Sequence, residues 1–313
     1  MEKPIVIVIE GPTASGKTSL SIELAKQING EIVCADSMQI YKEMNIGTAK
    51  VTSEEMQGIK HYAMDFVNPD ERFSVADYKK EAKKAIKEIL EKGKVPIVVG
   101  GTGLYIDALV YEIDYKEQET DLTYRKKLEK EAEIIGIEEL YKRAEQIDAE
   151  AAHRISKTDK KRIIRILEIY HTTGKTKTEL EKESRQNPPE YDYKLFALTW
   201  ERQTLYERIN QRVNQMIDQG LIEEVEYIWK KYTYFPTAMQ ALGYKEVVEY
   251  LEKKLTKEEM VEKIKMETRR YAKRQLTWFR KNKNVIWLAG ENKMEDNIRT
   301  IWEVIRSEER NKG

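Results

Sequence analysis

Eight consecutive residues, Gly11, Pro12, Thr13, Ala14, Ser15, Gly16, Lys17 and Thr18, match the phosphate-loop pattern at every fixed position. The chemistry such a loop serves is the holding of a phosphate or diphosphate. Its glycines let backbone N–H groups turn inward, and the helix that follows adds its N-terminal donors. Lys17 brings a full positive charge, and the Thr18 hydroxyl is a candidate ligand for Mg²⁺. Nucleoside triphosphatases usually add an aspartate at the end of a second strand to help hold the metal. Here the apparent strand at 95–99 ends in Gly100, Gly101, Thr102 and Gly103, and the carboxylate that ends a core strand is Asp36. Ligands of open α/β sheets sit at the carboxyl ends of the strands, so Asp36 is expected to face the phosphate loop across a cleft. Residue type leaves it three roles: metal ligand, general base or helix cap. Arg212, and after it Arg208, lie on one helical face beside the stripe Leu205, Ile209, Val213 and Met216. They are the candidate cations for a leaving phosphate, against the plainer reading of a solvated surface pair.

The elements that must position these groups follow from periodicity. Residues 5–9 are a run of β-branched side chains and read as a strand buried on both faces. Leu20, Leu24 and Ile28 give a helix over 17–28 that Gly30 ends, and 31–35 is a second strand. Ser74 and Asp77 form a capping box for a helix to Lys92, stopped by Gly93. Further strands are expected at 195–200 and 285–289. Long helices are expected over 203–219, stopped at Gly220, and from the Thr256/Glu259 capping box to about 281. Between 116 and 184 only helical periodicity is present, and Gln186, Asn187, Pro188 and Pro189 read as a return linker. The fold class is therefore α/β: a P-loop-containing parallel sheet core flanked by helices, with an all-helical insertion domain. The expected domains are 1–115 with 188–313, and 116–187.

Of 313 residues, 55 are Lys or Arg and 55 are Asp or Glu, so the summed charge opposes an indiscriminate nucleic-acid binder. The sum conceals two basic tracts. Residues 154–165 carry Arg154, Lys157, Lys160, Lys161, Arg162 and Arg165 against Asp159 alone. Residues 269–283 carry seven Lys or Arg, no acid, and the aromatics Tyr271, Trp278 and Phe279. Basic residues among aromatics suit RNA, but Trp278 and Phe279 read first as the core face of a helix. Cys34 is the single cysteine, which excludes a disulfide framework, and with Met38 it reads as packing beside Asp36. His61, His153 and His171 are scattered and suggest no metal site. No stretch approaches the roughly 20 apolar residues of a membrane span, and a cytoplasmic protein is expected.

The phosphate loop, the segment 36–41 with 45–50, and 99–105 together closely resemble the tRNA dimethylallyltransferases, the bacterial tRNA isopentenyltransferases. The resemblance continues through 159–168, 205–212, 240–246 and 268–280, nearly the whole chain. It implies transfer of a dimethylallyl group from dimethylallyl diphosphate to N6 of the adenosine 3′-adjacent to the anticodon. The phosphate loop would then bind a diphosphate leaving group, with Lys17, Thr18-bound Mg²⁺ and Arg212 stabilising its charge. Asp36 would take the N6 proton as general base. The resemblance also implies tRNA contacts at Asp36, Ser37, Met38, Gln39, Thr102, Arg125, Lys160, Lys161, Arg162, Ile163 and Ile164. The adenine would have to leave its stack to be reached. For Ser37 and Gln39 the alternative is ordinary turn hydrogen bonding. The expected partners are the tRNA anticodon stem-loop and dimethylallyl diphosphate, with one monomer per tRNA. A small-molecule kinase, a transferase acting on free AMP, and a non-catalytic RNA-binding module are the rival readings.

Overall fold

The structure is a computed structural model and describes residues 3–113, 121–184 and 188–311. Six strands, β1 (Ile5–Glu10), β2 (Gly30–Cys34), β3 (His61–Tyr62), β4 (Val95–Gly100), β5 (Asp192–Thr199) and β6 (Ile286–Ala289), form one parallel sheet. The order is β3-β2-β4-β1-β5-β6. This is an α/β fold. Parallel strands covered on both faces must be apolar throughout, which is why β1 and β4 read as unbroken hydrophobic runs. One face packs Ile7, Ile9, Ile97 and Phe196 against Leu20 and Leu24 of the Lys17–Ile28 helix and Ile298 and Ile301 of the Met294–Asn311 helix. β1 lies between β4 and β5, so the chain leaves it toward one side for β2 and β4 and later crosses to β5. That reversal opens a crevice at the carboxyl end of β1, where α/β sheets take their ligands.

Local signals match the elements closely. Ser74 Oγ accepts from the Asp77 N–H at 3.2 Å and Asp77 Oδ2 from the Ser74 N–H at 2.8 Å, which opens the Val75–Glu91 helix. Thr256 and Glu259 do the same for the Lys257–Phe279 helix, at 3.2 and 2.8 Å. Some element ends differ from, or add to, the sequence reading. The left-handed cap of the first helix is Asn29, with φ of 53°, and Gly30 already belongs to β2. A Cβ on Gly30 would crowd the Val95 carbonyl oxygen at 3.1 Å, so glycine suits the close packing there. Gly220 is the N-cap of the Leu221–Lys231 helix as well as the stop after Arg202–Asp218. The edge strand β3 is two residues long and carries no periodic signal.

The chain divides into two compact units, Met1–Leu109 with Glu190–Gly313, and Val110–Pro189. The expected domain start at 116 and the linker residues Gln186 and Asn187 lie outside the described residues. The second unit consists of helices Leu122–Ile135, Ile137–Ile147, Ala149–His153, Lys160–Thr173 and Lys177–Ser184. Its core is Leu128, Leu140, Tyr141, Ile163, Ile164 and Leu167. Asp148 ties two of these helices, capping one through the Ala151 N–H at 2.9 Å and holding the Thr178 N–H at 2.8 Å. Among the described residues no helix is long and apolar enough to cross a membrane.

Candidate active site

Two backbone reversals shape the phosphate loop. Ala14 has φ of 62° and Gly16 of 91°, both left-handed. Successive N–H groups therefore point to a common concavity. Gly16 is the N-cap of the Lys17–Ile28 helix and has no side chain to cap it, which leaves the helix N-terminal donors open to an anion.

Two of the loop's carbonyl oxygens accept hydrogen bonds from side chains distant in sequence. Arg208 Nε donates to the Ala14 carbonyl at 2.9 Å, and Trp200 Nε1 donates to the Ser15 carbonyl at 2.9 Å. The Arg208 guanidinium rests on the Trp200 ring, 4.3 Å from its centroid. The Thr13 N–H donates to Gln275 Oε1 at 2.9 Å, and Lys17 Nζ folds back onto the Pro12 carbonyl at 2.7 Å. Each oxygen so anchored is one fewer facing a bound anion.

A cavity of about 380 Å³ opens beside the loop. Thr13, Ala14, Lys17 and Thr18 line it together with Asp36, Ser37, Met38, Gln39, Arg212, Tyr271, Arg274 and Gln275. Ile32, Val51, Met64 and Val99 add an apolar wall able to take a five-carbon chain. A second cavity, about 800 Å³, shares Ala14, Lys17, Thr18, Arg212 and Met216 with the first. The two cavities thus meet at the phosphate loop. The sequence expectation that Asp36 faces this loop across a cleft is the arrangement found.

Asp36 is held as a turn cap with half of its carboxylate free. Oδ1 accepts from the Met38 N–H at 2.9 Å and the Gln39 N–H at 3.4 Å. Oδ2 has no hydrogen-bond partner among the described residues. The flanking backbone is tied to Thr102, whose N–H donates to the Ala35 carbonyl at 3.1 Å and whose Oγ1 accepts from the Ser37 N–H at 3.0 Å. Gly100 permits this approach, because a Cβ there would lie 2.1 Å from the Ala35 oxygen. The cap role and an open carboxylate oxygen therefore coexist in one side chain.

Charge in the cavity is set by burial. Lys17 is pulled down to about 8 by its removal from water and by the nearby Arg212 charge, with Asp36 partly restoring it. Burial also holds Arg212 below the usual arginine value, with the charges of Asp36 and Glu55 partly restoring it. Burial, and then the charge of Asp36, push the Cys34 thiol up to about 12, so it stays neutral and packs. Cys34 donates to Gln39 Oε1 at 3.4 Å.

Most of the other expected site residues are engaged by partners within the fold. The Gln39 amide is engaged within its own loop, donating to the Thr48 and Ala49 carbonyls at 3.0 and 3.3 Å. Met38 packs on the hydrophobic cluster around Ile40 and Tyr244. In the helical unit, Ile163 and Ile164 are buried, at 0% and 2% exposure, and their side chains belong to its core. Arg125 grips Glu168 through Nε at 2.7 Å and Nη2 at 2.8 Å. The basic tract there is largely paired by acids that its own sequence does not contain. Arg154 meets Glu150 and Glu181, and Lys160 lies 3.6 Å from Glu133. Arg162 stands 3.4 Å from its neighbour Asp159. Lys161 is exposed and has no acidic partner among the described residues. In the Lys257–Phe279 helix, Phe279 is buried and Trp278 donates to Asp107 at 3.0 Å.

Three residues of this architecture escape a reading of the sequence: Trp200, Glu224 and Gln275. Glu224 accepts from the backbone N–H groups of Asn45, Ile46 and Gly47 at 2.9, 2.8 and 3.1 Å, pinning the 45–50 loop. Tyr271 faces the cavity, with Thr102 and Gln275 beside its phenol, and burial pushes its ionisation up. One usable signal existed. Gln275 is a polar residue on the stripe Ile264, Ala272, Gln275, Phe279 of an amphipathic helix.

The model of a family described as IPP transferase matches residues 39–282 of this chain. A tRNA dimethylallyltransferase of Acetivibrio thermocellus is 52% identical over 284 residues, 90% of this chain and 91% of that protein. One from Bacillus anthracis is 50% identical over 288 residues, 92% of this chain and 91% of that protein. The solved tRNA isopentenylpyrophosphate transferase of Bacillus halodurans superposes with a TM-score of 0.74 at 40% identity, covering 99% of both chains. A eukaryotic dimethylallyltransferase solved acting on tRNA gives 0.76 at 32% identity, over 92% of this chain and 74% of that one.

Proposed function

The chain belongs to the IPP transferase family, and on that premise we propose that it transfers a dimethylallyl group from dimethylallyl diphosphate to tRNA. The acceptor is N6 of the adenosine 3′-adjacent to the anticodon, and the products are N6-dimethylallyladenosine and diphosphate. The observation that carries this reading is the free Asp36 Oδ2 in the same cavity as Lys17, Thr18 and Arg212.

The N6 lone pair is delocalised into the adenine ring, so the amine attacks well only as it loses a proton. In this reading N6 bonds to the allylic carbon while the bond from that carbon to the diphosphate oxygen breaks. The electron pair of the broken bond leaves with diphosphate, and the N6 proton passes to Asp36 Oδ2. The inward N–H groups of the loop, protonated Lys17 and Arg212 stabilise the charge on the leaving group. The apolar wall of Ile32, Val51, Met64 and Val99 suits the dimethylallyl chain.

Mg²⁺ fits the donor chemistry as an ion held mainly by the ligand. Among the described residues no cluster of His, Cys, Asp or Glu is able to cage a metal. Thr18 offers one hydroxyl at the mouth of both cavities, and Mg²⁺ commonly binds through one or two protein oxygens plus phosphate and water. When bound, the ion would neutralise developing negative charge on the diphosphate.

The helical unit would contact the anticodon stem-loop. Arg125, fixed by Glu168, keeps Nη1 for an RNA phosphate, and Lys160, Lys161 and Arg162 add charge along one helix start. A monomer acting in the cytoplasm suffices for this chemistry. Incubation with radiolabelled dimethylallyl diphosphate and either tRNA or AMP tests the reading. Label in tRNA is expected; label in AMP alone would overturn it.

A further inference from the structure

We infer that Gln275 is a positioning residue that fixes the spacing between the phosphate loop and the loop carrying Asp36. The inference rests on the dimethylallyl-transfer reading above. Gln275 touches neither reacting group directly in this account; it acts through the two backbones it joins.

One buried amide bridges both loops. Oε1 accepts from the Thr13 N–H at 2.9 Å, and Nε2 donates to the Gly101 carbonyl at 2.8 Å. The orientation of the amide is forced, because a flip would set N–H against N–H and oxygen against oxygen. Gly101 is part of the device: a Cβ there would stand 2.2 Å from Gln275 Nε2. From Gly101 the connection continues to Thr102, which bonds the Ala35 carbonyl at 3.1 Å and the Ser37 N–H at 3.0 Å. Those two residues flank Asp36. An unbroken series of hydrogen bonds and covalent bonds therefore runs from the loop that holds the leaving group to the carboxylate that takes the proton.

Transfer requires the allylic carbon, N6 and the base to be aligned at once, and a misplacement of about 1 Å can cost about 100-fold in rate. Loss of the bridge leaves each loop intact and loosens their separation. The expected signature is therefore a fall in kcat with the binding of dimethylallyl diphosphate little changed.

Two variants test this. Gln275→Leu, similar in size, removes both hydrogen bonds, and its kcat should fall about 10- to 100-fold with KM for dimethylallyl diphosphate within about threefold. Gln275→Glu keeps an acceptor for Thr13 but sets a carboxylate oxygen against the Gly101 carbonyl. Its protonated form has the donor and acceptor pattern of glutamine, and burial favours that form. The kcat deficit of Gln275→Glu relative to wild type should therefore be larger at pH 8.5 than at pH 6. A purely structural role predicts no such recovery with acid. The inference is overturned by a folded Gln275→Leu protein with wild-type kcat. If that variant does not fold, a Gln275→Glu deficit that is absent, or equal at both pH values, overturns it. Wild-type protein in the same assay separates the two levels: no transfer to tRNA by wild type would refute the functional reading instead.

Discussion

Arg208 Nε donates to the Ala14 carbonyl of the phosphate loop at 2.9 Å, with the guanidinium stacked on Trp200. Arg212, one turn further along the same helix, makes no such bond and lines both cavities. Two arginines that look interchangeable in sequence are thus divided between shaping the loop and meeting its ligand.

Arg212→Ala should lower kcat/KM for dimethylallyl diphosphate by about 10²- to 10³-fold, as expected when a charge that stabilises a leaving group is removed. Arg208→Ala should cost about 10-fold, through a less ordered loop. Steady-state kinetics with tRNA saturating checks this, and a larger loss at Arg208 would reverse the assignment.

Lys17 predicts a pH dependence. Its folded-state pKa, lowered to about 8 by burial and by Arg212, means that the free protein loses this charge as pH rises through about 8. Diphosphate binds the protonated form, so binding takes up a proton above that pH. Affinity should be flat below about pH 7 and weaken by about tenfold per unit well above pH 8. Glu10, raised to about 8 by burial and by the charge of Asp107, titrates in the same window. A Lys17→Met variant, which keeps Glu10, should bind weakly and show no such slope. Titration of binding affinity from pH 6 to 9.5 is the measurement, and a flat wild-type profile would contradict the assignment.

The paired basic tract makes Lys161 the sharpest probe of RNA contact in the helical unit. Lys160 and Arg162 already have acidic neighbours at 3.6 and 3.4 Å. Lys161→Ala should weaken tRNA binding and reduce the slope of log affinity against log salt by about 0.7–0.9, the value for one phosphate contact. An unchanged slope would mark Lys161 as a solvated side chain.

Arg125 has a structural duty that any RNA contact must share. Glu168 is 2% exposed and is paired by Arg125 at 2.7 Å, with Arg165 at 3.7 Å. Arg125→Ala leaves a buried carboxylate poorly matched. It should cost about 2–3 kcal/mol after allowing for the partial exposure of Arg125 and the remaining arginine. Denaturant unfolding of the full chain checks this, and Glu168→Gln in the same background should recover part of the loss. Wild-type stability in Arg125→Ala would contradict the role.

What the sequence reveals here depends on how local the cause is. The phosphate loop, the capping boxes at Ser74 and Thr256, and Asp36 at a strand end are each written within a few residues. The partners that make the loop work are not: Gln275 and Trp200 reach it across 262 and 185 residues. Nor does composition show pairing. The tract 154–165 has only Asp159 against it in sequence, until helix packing brings Glu133 and Glu181 against it. Ile163 and Ile164 fall within a motif of apparent RNA contacts, yet helical spacing turns them into the core. The Asn29 cap and the short β3 lie at element ends, where one residue decides the boundary.

In the proposed reaction the free oxygen of Asp36 takes the N6 proton. The direct measurement is single-turnover transfer from labelled dimethylallyl diphosphate to saturating tRNA, wild type against Asp36→Asn, with tRNA affinity measured alongside. Asparagine keeps an oxygen to cap Met38 and Gln39 but cannot accept the proton. Asp36→Asn should keep tRNA affinity within about twofold and slow transfer by about 10²- to 10⁴-fold. Transfer at near wild-type rate in Asp36→Asn would contradict it.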